Sequence, residues 1–266
     1  MSANISIITV GMNHLKYIKD LYASIYKEGL KDTVEVIYVD NCSVDGSVDF
    51  LKEHYPSIKI IVNDSPKGFG ENNNIGAKIA KGKYLAIINP DIILTDNCLD
   101  DLFCYLEAHS DIGICVPKLL NLDRSYQYSV RRFITPKLFI SRAFAKGEDA
   151  KELVGNSYYL CKDLNVDKVQ YINWAVGAAY FMAREHYNKL GGFDEDYFLY
   201  MEDEDLCLRS WKLKAPVVYL PHAVMIHNHM RSSKKFGKTM VYHFKSLFTF
   251  WNKHGLSIPD YVKKSN

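Results

Sequence analysis

Val34-Glu35-Val36-Ile37-Tyr38-Val39-Asp40-Asn41-Cys42-Ser43-Val44-Asp45-Gly46-Ser47 is the stretch that decides the fold. A short run rich in β-branched residues stops at Asp40-Asn41, and Ser43-Val44-Asp45-Gly46 then carries a helix start signal. The same unit recurs on both sides. Apolar runs at 5–10, 58–62, 84–88 and 112–116 alternate with helical patterns near 14–27, 47–54, 72–80 and 99–108. Apolar strands with helices between them predict an α/β fold whose mostly parallel sheet is covered on both faces.

Beyond residue 117 the rhythm breaks. Residues 118–168 are richer in Tyr, Arg and Lys, have no clean period, and are expected to form an acceptor-side region. A strand-like stretch at 169–183 follows, then a turn at Gly191-Gly192 and a helix at 203–214. Two short strands, at 217–220 and 224–226, come next. The tail at 242–251 sets Phe244, Leu247, Phe248 and Trp251 at helical spacing. The expected organisation is a catalytic domain over 1–230, with a donor half at 1–117 and an acceptor half at 118–230, and a helical extension over 231–266.

Composition narrows the function. The 266 residues are 48% hydrophobic, enough for one sizeable core. A net charge of +2 does not suit a nucleic-acid binder. The 19 Tyr suit either carbohydrate stacking or ordinary core packing. The six Cys show no paired spacing and read as reduced thiols of a cytoplasmic protein. No window holds the ~20 apolar residues of a spanning helix, and no secretory leader is legible.

Ligands of open α/β sheets bind beyond the carboxyl ends of the strands. Polar residues fall there each time: Thr9, Asp40-Asn41, Asn63-Asp64 and Asn89-Pro90-Asp91. Asp40 is placed to read the imide N–H of a nucleobase, or to cap a turn. Gly68-Phe69-Gly70 followed by Asn72-Asn73-Asn74 is a small-residue turn at a helix start that can approach a phosphate or ribose. It is neither a dinucleotide fingerprint nor a Walker A loop. Asp91, with His227 from a later strand end, suits Mg²⁺ or Mn²⁺ on a diphosphate, and His229 is a rival ligand. The run Glu202-Asp203-Glu204-Asp205 exceeds what a helix start needs, and mutual repulsion should raise a proton affinity. It suits a general base acting on an acceptor hydroxyl.

With these segments in order, the chain resembles glycosyltransferase family 2, with the GT-A fold, in its rhamnosyltransferase-like branch. Residues 6–10, 40–47, 68–76, 89–91, 129–133, 176–178, 191–195 and 200–209 carry the resemblance, which spans about residues 4–255. It implies that Asp40 binds the nucleobase, with Thr9 lining the same pocket, and that Asp91 is the metal-binding Asp of a D-x-D-type motif whose first position is Asn89. It implies that Asp203, after Glu202, is the base of an inverting displacement, and that His227 is a further metal ligand. The loop after it reads His227-Asn228-His229-Met230-Arg231-Ser232, with Met230 where the family pattern has Gly.

Arg131, Arg132 and Arg231 are candidates to neutralise the departing diphosphate, and Trp174 to wall the sugar pocket. The resemblance further implies a divalent cation, a nucleotide-diphospho-sugar donor (dTDP-rhamnose first) and a glycan or lipid-linked acceptor. Arg231, Lys234, Lys235 and Lys238 add a basic stretch suited to peripheral contact with a membrane's inner face. UDP-hexose, UDP-N-acetylhexosamine and galactofuranose donors are alternatives, as is a non-catalytic nucleotide-sugar-binding subunit. A nucleotidyltransferase fits less well, because residues 9–14 hold one Gly and no Gly-rich loop.

Overall fold

A computed structural model describes residues 4–27, 33–146, 148–149, 151–228 and 238–262. Its first half runs β1 (Ile5–Gly11), α1 (Leu15–Ile25), β2 (Val34–Asp40), α2 (Ser47–His54), β3 (Lys59–Val62), α3 (Phe69–Ile79), β4 (Tyr84–Ile88), β5 (Ile92–Leu94) and α4 (Cys98–Ala108). The second half runs β6 (Ile114–Leu120), β7 (Val130–Arg131), α5 (Pro136–Phe144), α6 (Val154–Tyr159), β8 (Gln170–Ile172), β9 (Trp174–Ala175), β10 (Ala179–Ala183), α7 (Arg184–Leu190), α8 (Glu202–Lys212), β11 (Val217–His227) and α9 (Lys238–His254).

The central sheet has the order β3-β2-β1-β4-β10-β6-β11-β5. The β3-β2-β1-β4 run is parallel, as expected from strands buried on both faces. β10 then lies antiparallel to both β4 and β6, and β11 returns parallel to β6. One core lies between the sheet and α1 and α4, and includes Ile18, Tyr22 and Leu102. The other lies under α3, α7, α8 and α9.

The structure alters several expected boundaries. The strands expected at 217–220 and 224–226 are a single strand, β11, whose register shifts between Leu220 and Val224. The stretch at 169–183 divides into β8, β9 and β10. Residues 118–168 contain two helices. Thr135 caps α5 by accepting from the Leu138 N–H, and Pro136 occupies its first turn. Finally, β5 is a three-residue strand paired with the end of β11, with Ile92 opposite His227.

Candidate active site

The carboxyl ends of β1, β2 and β4 form one edge, and the loops there are tied to one another. Asn13 receives a hydrogen bond from Val44 N–H on its Oδ1, and its own N–H donates to Ser43 Oγ. Asp45 accepts from Leu15 N–H at the start of α1. Asp40 is buried, and its Oδ2 accepts from Ser43 N–H at 2.8 Å. It therefore holds the turn, while its Oδ1 has only a long 3.5 Å contact from the Tyr38 hydroxyl. Asn63 donates to Asn41 Oδ1 at 3.1 Å and to Asn72 Oδ1 at 2.6 Å, which joins the ends of β2 and β3 to α3.

At the end of β4, the β5–β11 pairing sets Asp91 against His227. Asp91 Oδ1 lies 3.4 Å from His227 Nε2, is buried and accepts no hydrogen bond. His227 Nδ1 meets Gln127 Oε1 at 2.7 Å. An amide oxygen only accepts, so Nδ1 carries a proton, and in the neutral ring Nε2 presents a lone pair to Asp91. Two acceptors at this spacing are relieved by a cation held between them, and an outer partner that fixes the imidazole tautomer is usual at metal sites. Among the described residues no cluster of three or more His, Cys, Asp or Glu could hold a metal; a divalent cation on a diphosphate commonly takes several of its ligands from phosphate and water. His14 also belongs to this end of the site. Burial lowers its proton affinity, and the Asp91 and Asp45 charges oppose that shift. Its Nδ1 accepts from Met12 N–H.

The four acids of α8 have separate fates. Tyr200 and Met201 both take the left-handed conformation, φ 69° and 71°, and turn the chain sharply into the helix. Such backbone costs of order 1–3 kcal/mol per residue and concentrates at functional sites. Glu204 is buried and accepts from Ile134 N–H at 2.5 Å. Asp205 binds Arg209 at 2.6 Å and His254 of α9 at 2.7 Å. Glu202 is buried with Oε2 unbonded. Asp203 alone is half-exposed.

Asp203 Oδ2 accepts from Gly177 N–H at 3.0 Å and Oδ1 from Glu204 N–H at 2.9 Å. Burial pushes its carboxyl up, while those two amides and Arg131 oppose the shift. Burial is likewise the leading cause for Glu202 and Glu204, so the repulsion expected from the sequence is secondary. At His227 opens a cavity of about 810 Å³, lined by Arg131, Val176, Tyr126, Tyr128, Asp149 and His227 among others; Asp203 stands behind its wall, bonded to Gly177 next to Val176 and close to the Arg131 charge.

Several sequence candidates are occupied elsewhere. Trp174 is buried and its indole N–H donates to Arg132 O at 2.9 Å, so it offers no face to a sugar. Arg132 pairs with Asp163 at 2.9 Å and Asp260 at 3.1 Å. Arg131 is buried too and donates to the carbonyls of Tyr128 and Val130, which keeps its charge beside Asp203. Thr9 is fully buried beside Tyr22 of α1. Asn73 is buried and donates to Phe69 O within its own helix. At Gly68 a Cβ would sit 2.9 Å from Phe198 O, so the glycine answers to packing against the 197–198 segment. The side chain of Asn89 is half-buried, and its N–H donates to Ala178 O. His229 and Arg231 lie outside the described residues. Sequence reasoning missed the parts played by Gln127, Gly177 and His14, each of which depends on a neighbour distant in the chain.

Residues 6–165 match the family model "Glycosyl transferase family 2". The chain belongs to glycosyl transferase family 2. It is a glycosyltransferase that draws on nucleotide sugars, with the GT-A fold. Rhamnosyltransferase WbbL of Escherichia coli (strain K12) is 29% identical, across 92% of this chain and 91% of that protein. The N-acetylglucosaminyl-diphospho-decaprenol L-rhamnosyltransferase of Mycobacterium tuberculosis is 25% identical across 82% of this chain and 74% of its own length. Among solved structures, GalNAc-T7 with UDP, GalNAc and Mn²⁺ superposes with a TM-score of 0.68 at 14% identity, over 94% of this chain. This chain spans 48% of that one. Among the described residues no helix is long and apolar enough to cross a membrane.

Proposed function

We propose that this glycosyltransferase moves L-rhamnose from dTDP-rhamnose, with inversion, to a hydroxyl of a glycan or lipid-linked saccharide in the synthesis of a bacterial surface polysaccharide. The observation that carries the sugar is the likeness to WbbL over nearly the full length of both proteins. The acceptor class draws on the mycobacterial relative, whose name gives a diphospho-decaprenol-linked sugar.

Asp203 is the base in this reading. It is the one acid of its cluster left half-exposed, its raised proton affinity suits proton capture, and two amides aim it. It takes the proton of the acceptor hydroxyl. The hydroxyl oxygen bonds to the anomeric carbon as the carbon–oxygen bond to the diphosphate breaks, and the nucleoside diphosphate leaves with that electron pair. Asp40 and the loops of residues 11–14 and 41–45 take the nucleoside, with Asn63 and Asn89 supporting that edge. Arg131 adds positive charge between the base and the cavity. Asp91 and His227 would hold Mg²⁺ or Mn²⁺, which as a Lewis acid would stabilise charge on the departing diphosphate. Residues 1–230 serve as the catalytic unit in this proposal and 231–266 as its helical extension.

Thermal stability against a panel of nucleotides and nucleotide sugars, with and without Mn²⁺ or Mg²⁺, tests the donor. A ligand at 100 times its Kd stabilises the fold by about 2.7 kcal/mol. A metal-dependent shift largest with dTDP-rhamnose is expected. A larger shift with a UDP-sugar would replace the sugar assignment, and no shift with any nucleotide would overturn the reading.

A further inference from the structure

The apolar stripe of the tail divides between two surfaces. Leu247 and Phe250 of α9 enter the core, and Trp251 is half-buried. On the opposite side Val241, Phe244, Lys245 and Phe248, spaced three or four residues apart, face solvent. Phe139 of α5 packs edge-on against both Phe244 and Trp251, with ring centroids 6.0 and 5.9 Å away, so the two helices form one surface. α5 adds Ile140 and Phe144. Phe144 is 74% exposed, Val241 67%, Phe248 64% and Ile140 55%, exposure of the kind that marks an interaction surface.

The charge on the two helices is one-sided. At the chain's overall frequency of 31 acids in 266 residues, the nine residues of α5 and seventeen of α9 would carry about three. They carry none. Lys137, Lys146 and Lys245 are exposed on or next to the two helices. A second copy of the chain, docking the same face in a two-fold pair, would bring like charges together. An anionic bilayer surface supplies what both features need: headgroup charge for the lysines and a shallow apolar layer for the aromatic rings.

The surface also lies near the site. Glu148 and Asp149 line the cavity at His227, and Glu148 follows Phe144 by four residues, at most about 14 Å of extended chain. We infer that the α5–α9 face docks the enzyme on an anionic membrane surface, with the catalytic cavity opening beside the headgroups. The inference extends the reading of a lipid-linked acceptor and rests on it for its purpose, though the surface can be tested separately.

The test is co-sedimentation of the full chain with vesicles of phosphatidylcholine alone or with 30% phosphatidylglycerol. Sedimentation equilibrium and transfer assays on a water-soluble acceptor analogue and a lipid-linked acceptor run in parallel. The wild type is expected to pellet with anionic vesicles at least tenfold more than with neutral ones. The double variant Phe144→Ser/Phe248→Ser should lose at least tenfold of that binding and of turnover on the lipid-linked acceptor, and keep turnover on the soluble analogue. Lys137→Glu/Lys245→Glu should lose the preference for anionic lipid. Three results overturn the inference: no vesicle binding by the wild type, unchanged binding by the Phe double variant, or a dimer that this variant dissociates in place of vesicle binding. Vesicle binding that behaves as expected in an enzyme that transfers to neither acceptor supports the docking surface and counts against the transfer reading alone.

Discussion

Replacing Gly177 with Ala tests how Asp203 is aimed. A Cβ at residue 177 would lie 3.0 Å from Asp203 Cβ and 3.4 Å from its Oδ2. Carbon atoms pack best at about 3.5–4.0 Å, so the Asp203 side chain must retreat by roughly 0.5–1 Å. The 3.0 Å bond from Gly177 N–H to Oδ2 then lengthens past useful range. A hydrogen bond to a charged group contributes about 1.5–3 kcal/mol, which is roughly 10- to 150-fold in rate if the bond serves only to place and ionise the base. Losing it also removes a partner that favours the ionised carboxylate. The base must be deprotonated to act, so activity rises with pH through its pKa, and the acid limb of kcat/KM should move to higher pH. The assay is release of nucleoside diphosphate across pH 5–9, with the nucleotide-induced thermal shift as the donor-binding control. A variant with kcat/KM within twofold of wild type and an unmoved acid limb would refute both the positioning argument and the assignment of Asp203 as base.

Four further outcomes follow from the same geometry. Asp203→Asn should lower kcat by about 10²–10⁴ while nucleotide binding stays within twofold, and lost donor binding in calorimetry would assign it another role. Asp40→Asn keeps an oxygen for Ser43 N–H, so it should weaken nucleotide binding about tenfold, roughly 1.4 kcal/mol, with little loss of Tm; unchanged affinity would leave Asp40 as a turn residue only. Activity should fall in chelator and return with Mn²⁺ or Mg²⁺, and Gln127→Leu should raise the metal concentration needed by about 10- to 100-fold; full activity of Asp91→Ala in chelator would remove the cation from the reading. Burial raises the Glu204 carboxyl above its usual 4.5, so its contribution to stability is whole below 4.5 and is lost as pH rises through its higher folded pKa. Glu204→Gln keeps the acceptor for Ile134 N–H, so its Tm should exceed wild type by ~2 °C or more at pH 8, and the gap should close near pH 4; a gap independent of pH would contradict the assignment.

Residues 1–117 were legible because their elements obey local rules. Each strand from β1 to β4 is a short run closed by polar residues, and α1 and α4 bury one periodic face. The second half escaped the same rules. β7, β8 and β9 hold two or three residues each and exist only because a neighbouring strand pairs with them. β10 reads like any parallel strand and yet runs antiparallel between β4 and β6, which no pattern of side chains announces. Trp174 and Arg132 looked like ligand contacts because aromatic and cationic residues at strand ends often are. Their partners, Arg132 O for one and Asp163 and Asp260 for the other, stand far along the chain.

The site divides in the same way. Asp40, Asp91 and Asp203 could be singled out because a carboxylate at a strand end or helix start is conspicuous in one dimension. What separates Asp203 from Glu202, Glu204 and Asp205 is visible only in three. Ile134 N–H holds Glu204, His254 and Arg209 hold Asp205, Glu202 is buried, and Gly177 can offer its N–H to Asp203 because it lacks a Cβ. Four adjacent acids of similar intrinsic acidity thus come to differ, and on the proposed reading the half-exposed one, Asp203, is the base. The backbone that brings this about is the left-handed pair Tyr200-Met201, which would relax if α8 could begin elsewhere. α9 opposes that relaxation, because Ser246 donates to Leu199 O at 2.9 Å and His254 reaches Asp205. On the proposed reading α9 is thus a structural part of the catalytic arrangement, and truncating the chain before residue 238 should lower kcat in the nucleoside diphosphate release assay while circular dichroism shows the sheet still folded.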